Sequence, residues 1–155
     1  SLRYFNVGGA YGGRGERHSP ETHLIPNVLA VATGDRESVA IFGTDYPTRD
    51  GTAVRDYLHV EDLGRAHLLA LEKAVPGEHL IANLGTGSGY TVREVVQAAR
   101  VVSGHAIPAV EQDRRPGDPP TLVASARRAE QARGWRTEHD LTRIVAAAWA
   151  FMSAR

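Results

Sequence analysis

The chain has no cysteine, so disulfides, zinc-thiolate sites and thiol nucleophiles are excluded at the outset. Lys73 is the only lysine among 18 basic residues, the others being arginine, so a lysine base or Schiff base has one candidate position. Charge of one sign is also lacking in excess. The formal net charge is zero, which gives no electrostatic pull towards nucleic acid or an anionic membrane, and neither is expected as a partner. No run of 18 apolar residues occurs, so no membrane span is expected. The opening SLRYFNVGG lacks the regions of a secretory signal, and a soluble cytoplasmic protein is the default expectation. Ser1 opens directly in a strand-like run and the only methionine is Met152, which makes the chain look like a piece of something longer.

What is present is 155 residues, 42% of them hydrophobic, enough for one domain with a core. Leu2–Val7 reads as a short strand, followed by a glycine-studded loop from Gly8 to Glu21. Leu24, Ile25, Val28, Leu29 and Ala32 recur at helical spacing, with Gly34 as the stop. Strands are predicted at Val39–Phe42, Val54–Val60, Leu80–Leu84 and Ile107–Val110. Helices are predicted at Glu61–Ala74, Val92–Val102, Ser125–Arg133 and Asp140–Ser153. Alternating strands and helices predict an α/β layer structure with some parallel pairing.

The segment Val54-Arg-Asp-Tyr-Leu-His-Val60 has the apolar spacing of a buried strand yet carries four polar groups. On one strand, Arg55, Tyr57 and His59 would share a face, and that set suits an anion carrying a ring. Asp56 on the opposite face needs donors nearby, because an unpaired buried carboxylate is costly. The loop Asp113-Arg-Arg-Pro-Gly-Asp118 offers further guanidinium groups, and with Arg55 it suits a pyrophosphate.

Other chemistries find no support. The loop Gly85-Thr-Gly-Ser-Gly89 lies between a strand and a helix, but the third glycine of a dinucleotide fingerprint would fall at Tyr90 or Val92. Thr91-x-x-Glu94 is a capping box that would take amides a pyrophosphate needs, so Gly85–Gly89 reads as a tight turn, despite Glu111 standing where a ribose-binding acid is expected. The seven histidines, at 18, 23, 59, 67, 79, 105 and 139, form no metal-ligand pair at helical spacing. His67 is expected at a helix boundary and the others mostly at the surface, with no metal bound. No Gly-x-Ser-x-Gly elbow occurs, and no tyrosine is followed four residues later by lysine, so the short-chain dehydrogenase dyad is absent.

The segments LRYFNVGGAYG, HLIPNVL, VAIFGTDYPTRDGTAVRDYLHVEDLGRAHLLALE, NLGTGSGYTVREVV, RRPGDPP and a late Gly134-Trp135 resemble, in this order, the C-terminal half of the UDP-glucose 4-epimerase family, within the extended short-chain dehydrogenases/reductases. The long segment IFGTDYPTRDGTAVRDYLHVEDL is the most specific part, because sister dehydratases and decarboxylases usually lack its DYPTRDGT insert. The resemblance implies an α/β fold that supplies the UDP-sugar-binding part, including a strand that would complete a Rossmann sheet whose NAD-binding N-terminal domain lies outside residues 1–155. It implies transient oxidation of the sugar at C4 by tightly held NAD, a role in galactose metabolism, and a homodimer when complete. The catalytic dyad would lie outside this chain, leaving it inactive alone. By the same resemblance, Asn6 would contact the diphosphate and Tyr4 the nicotinamide end of NAD. His23 and Leu24 would touch the sugar nucleotide, Ala40 and Phe42 the uracil, and Val92 the nucleotide. Arg55 and Arg115 would clamp the phosphates, Tyr57 would line the pocket, and Asp118 would bind a ribose hydroxyl. His23 replaces a common asparagine, and Leu122 stands where a tyrosine or small residue bears on acceptance of N-acetylated sugars. A related NDP-sugar dehydratase or decarboxylase, and a non-catalytic nucleotide-sugar binding module, are the alternatives.

Overall fold

The computed structural model describes residues 1–154. The run predicted as one strand from Leu2 to Val7 is two, β1 (Leu2–Tyr4) and β2 (Asn6–Gly8), because it changes partners at Phe5. A small antiparallel hairpin, β3 (Ala10–Tyr11) and β4 (Arg14–Gly15), interrupts the loop that follows. Then come α1 (Leu24–Ala32), β5 (Val39–Phe42), β6 (Val54–Arg55), β7 (Tyr57–His59) and α2 (Val60–Glu72). The second half contains β8 (Ala82–Leu84), β9 (Tyr90–Thr91), α3 (Val92–Ser103), β10 (Ala109–Gln112), β11 (Thr121–Leu122), α4 (Arg127–Arg133) and α5 (Leu141–Ser153).

Parallel pairing dominates, as the alternation of elements predicts. β1 pairs with β8, β2 with β7, β5 with β10 and β6 with β11, all parallel, while β9 runs antiparallel to β6. The segment VRDYLHV is therefore not one strand. Val54–Arg55 belongs to the β11–β6–β9 ladder, Tyr57–His59 pairs with β2, and Val60 opens α2. Asp56 is the crossing point: its N–H donates to the Leu122 carbonyl and its carbonyl accepts from Asn6 N–H, each at 3.2 Å.

Two cores hold the layers. Ile25, Val28 and Leu29 of α1 meet Val95, Val96 and Ala99 of α3 and Ile144 and Val145 of α5, with Tyr57 beneath. This follows from apolar residues at helical spacing on each helix. Pro26 sits in the first turn of α1, where its missing N–H would have had no intrahelical acceptor. The second core gathers Leu58, Ala66, Leu84, Ala129 and Trp135 under α2 and α4. Among the described residues, no helix is long and apolar enough to cross a membrane.

Candidate nucleotide-sugar site

Asp56 governs the site although it is fully buried and touches no solvent. One carboxylate oxygen accepts from the Thr86 N–H at 2.8 Å and the Thr86 hydroxyl at 2.6 Å. The other accepts from the Gly87 and Ala124 N–H groups, each at 3.1 Å. The donors that a buried carboxylate requires are thus supplied by the glycine loop and by the segment after β11. Gly85 is required by this approach: a Cβ there would lie 2.5 Å from the Asp56 carboxylate and 2.6 Å from the Ala124 side chain. The Thr86 and Gly87 amides are committed to Asp56, so these two are not free for a pyrophosphate. The predicted capping box is present, with Thr91 Oγ1 accepting from Glu94 N–H at 3.1 Å and Glu94 accepting from Thr91 N–H at 2.8 Å.

The insert Asp45–Thr52 is bolted to the same region. Asp50 accepts from the Thr52 N–H and hydroxyl and, through its other oxygen, from the Thr91 hydroxyl at 2.6 Å. Burial works against the charge, but the Thr91 and Thr52 hydrogen bonds hold the Asp50 carboxyl below the usual carboxylate range. Arg49 forms an ion pair with Glu94, and its hydrogen bond holds that carboxyl down as well. None of Asp45–Thr52 lines the large cavity, so the insert braces the walls rather than forming them.

That cavity measures about 1090 Å³. It brings together Tyr4, Asn6, His23, Leu24, Ala40, Phe42, Arg55, Tyr57, Val92, Arg115 and Asp118, drawn from six separate stretches of chain. Leu122 is not in its lining; it lies 45% exposed on β11, paired in register with Arg55. Asn6 donates through its side chain to the Asp56 carbonyl at 2.9 Å, which fixes its amide at the cavity wall. Arg55 is mostly buried, donates to the Val54 carbonyl at 2.7 Å and forms an ion pair with Asp118. The Arg115 guanidinium stacks 3.9 Å above the Phe42 ring. Arg114 turns elsewhere, onto Tyr46 and Asp45, whose carboxyl its hydrogen bond lowers below the usual range. Of the adjacent arginines, only Arg115 serves the cavity. Tyr57 is buried, and burial pushes its phenol well above the usual range, so it stays neutral. Two guanidinium groups, an amide, a carboxylate and aromatic faces in one cavity suit a phosphorylated ligand with a ring and hydroxyls.

His59 departs from its predicted place on the ligand face. It is fully buried, stacked on His139 at 4.3 Å between ring centroids, and caps α2 by accepting from Glu61 N–H at 3.1 Å. Gly9 (φ 86°) lies against its ring, and a Cβ there would come within 2.7 Å of it. His59 is the exception to the reading of most histidines as surface groups, because a strand-to-helix junction, invisible in spacing, turns it inward. His67 is exposed in mid-helix rather than packed at a boundary. Asp62 is a second buried hub that sequence reasoning missed: it accepts from Arg65, from the Glu138 and His139 N–H groups and contacts His139 Nδ1 at 3.0 Å. A carboxylate in the first turn of a helix reads as a capping charge, and only a contact more than 70 residues away reveals its role. Helical spacing also missed a loop cluster of Glu16, His18, Glu21 and His23.

Residues 1–85 match a family described as "NAD dependent epimerase/dehydratase family". UDP-glucose 4-epimerase of Corynebacterium glutamicum is 60% identical over 155 residues, covering 99% of this chain and 47% of the relative. The Streptomyces lividans UDP-glucose 4-epimerase is 51% identical, covering 99% and 46%. The crystal structure of UDP-glucose 4-epimerase from Bifidobacterium longum in complex with NAD+ and UDP superimposes with a TM-score of 0.94 at 39% identity, over 99% of this chain and 47% of that one. The chain spans about half the length of these relatives. With the parallel α/β framework, the cavity and the match over residues 1–85 in agreement, the chain belongs to the NAD-dependent epimerase/dehydratase family.

Proposed function

We propose that this chain is the UDP-sugar-binding half of a UDP-glucose 4-epimerase, completed by an N-terminal NAD-binding domain. The observation that carries the reading is the convergence of Asn6, Arg55, Arg115, Asp118 and Tyr57 on one cavity. Arg55 and Arg115 would hold the two phosphates, and Asn6 would add a neutral donor to the same group. Asp118 would exchange its ion pair with Arg55 for a ribose hydroxyl when the phosphate arrives. Ala40, Phe42 and Val92 would receive the base, with Leu24 and His23 along the sugar nucleotide. The ring of Tyr57, held neutral by burial, would offer a hydrogen bond without removing a proton.

In this reading the chain would not hold the dinucleotide by itself, a view supported by the Thr86 and Gly87 amides of its glycine loop being taken by Asp56. Tyr4, 52% exposed beside His67, is the residue that would meet the nicotinamide end. NAD, held by the other half, would supply the hydride acceptor for the sugar carbon, and the proton-accepting group would come from that half too. Calorimetry with UDP on the 155-residue chain tests the clamp. Arg55→Ala or Arg115→Ala should each weaken binding by about 2 kcal/mol, roughly thirtyfold in Kd. Unchanged affinity in both variants refutes it. Joining the chain to the preceding half of the C. glutamicum relative should yield UDP-galactose conversion, whereas the chain alone with NAD should yield none.

A further inference from the structure

The loop between β4 and α1 doubles back so that Glu16, His18, Glu21 and His23 present their donor atoms to one another, all within 4.8 Å. His18 Nδ1 lies 3.0 Å from a Glu16 oxygen and 4.0 Å from a Glu21 oxygen. His23 Nδ1 lies 3.5 Å from that Glu21 oxygen and contacts the same Glu16 oxygen. Bonds of about 2.0–2.1 Å from a tetrahedral zinc place neighbouring donor atoms roughly 3.3 Å apart. The separations observed bracket that value, so an ion could be seated with small side-chain adjustments.

The chemistry agrees with the spacing. Two imidazoles and two carboxylates form a nitrogen–oxygen set suited to the zinc class of divalent transition cations, not to calcium or magnesium. Two negative charges balance one dication. Among the described residues, neither Glu16 nor Glu21 has an arginine or lysine partner that would compete. Glu21 Oε1 accepts from the N–H groups of Thr22 and His23, each at 2.8 Å, which orients the carboxylate and leaves its second oxygen for the ion. His23 makes no side-chain cap to α1, so its ring is available. Both imidazoles are half-exposed, which leaves an entry path. The other histidine cluster, His59, Glu61 and His139, lacks these features: His59 Nδ1 is spent on Glu61 N–H, His139 Nδ1 faces Asp62, and the rings are stacked.

We propose that Glu16, His18, Glu21 and His23 bind one divalent transition cation of the zinc class. The ion ties the Glu16–His23 loop to the start of α1. Because all four residues belong to the lining of the large cavity, it also pins that part of the wall. The site shares His23 and a cavity wall with the sugar-nucleotide reading, and Zn2+ binding in the absence of UDP tests it separately.

Titration of the 155-residue chain with Zn2+ alone, by calorimetry, should show one ion per chain. Co2+ alone should give the intense visible absorption of a four-coordinate site. His18→Ala and His23→Ala should each weaken binding by at least about tenfold, and the control His105→Ala, altering an exposed histidine elsewhere, should leave it unchanged. Circular dichroism checks that the variants stay folded. Should either fail, imidazole proton resonances of the unsubstituted chain decide: Zn2+ should shift those of His18 and His23 and leave those of His79 and His105 in place. Absence of binding, a weak six-coordinate Co2+ spectrum, binding that survives the double substitution, or shifts confined to other histidines would each overturn the proposal.

Discussion

Replacing Asp56 by asparagine changes one oxygen into an amino group and nothing else in shape. Each carboxylate oxygen accepts two hydrogen bonds, so the new amide can serve only one pair of donors. In its better orientation the remaining oxygen keeps the Gly87 and Ala124 N–H groups. The Thr86 hydroxyl can then rotate to accept from the new NH2, but the Thr86 N–H is left without an acceptor. One orphaned donor in a buried site costs about 1–3 kcal/mol, and the two retained bonds lose their charge assistance. The opposite orientation orphans two backbone donors and is worse. The expected loss is therefore about 3 kcal/mol. Urea unfolding followed by the fluorescence of Trp135 and Trp149 reads this directly. With a slope of about 2 kcal/mol per molar, the midpoint should fall by roughly 1.5 M with the slope unchanged. Adding Thr86→Val to Asp56→Asn should cost less than the sum of the two changes, because both remove parts of one network. A midpoint shift below about 0.5 M would refute the claim that Asp56 holds the glycine loop and the β11 segment together.

Gly85→Ala should destabilise by about 2 kcal/mol in thermal unfolding, since its Cβ would press on both Asp56 and Ala124; no loss would mean the loop can yield. His59 is held neutral: burial lowers its pKa below 6.5, followed in effect by neighbouring His139. The unfolded chain then binds the proton more readily, so this residue's contribution to stability is present above pH 6.5 and is lost as pH falls from there through the folded value. His59→Asn keeps a capping group and should flatten that part of the Tm–pH curve, and an unaltered slope would exclude His59 as its source. Leu122→Ala should leave UDP affinity unchanged in this chain because Leu122 lies outside the cavity lining, and a marked weakening would place it at the ligand.

Periodicity alone placed the helices, because their buried faces recur every three or four residues, as Ile25, Val28, Leu29 and Ala32 do along α1. Local chemistry likewise determined the Thr91–Glu94 capping box, whose partners are three residues apart. The need of Asp56 for buried donors was also legible, since a carboxylate among apolar residues admits few alternatives. Which donors answered was not: Thr86, Gly87 and Ala124 lie 30 to 68 residues away. Strand breaks at Phe5 and Asp56 were hidden for the same reason, because a strand ends where its partner changes, and partners are chosen across the sheet. His59 illustrates the limit. Alternation along a strand assigned it to the ligand face, but α2 begins at the next residue and turns its ring under Gly9. Glu16, His18, Glu21 and His23 carry no helical or strand period, so only the fold of their loop could show that four metal-binding side chains meet. Spacing along the chain determined what each segment could become, and long-range packing decided which of its polar groups would be buried, paired or left facing the cavity.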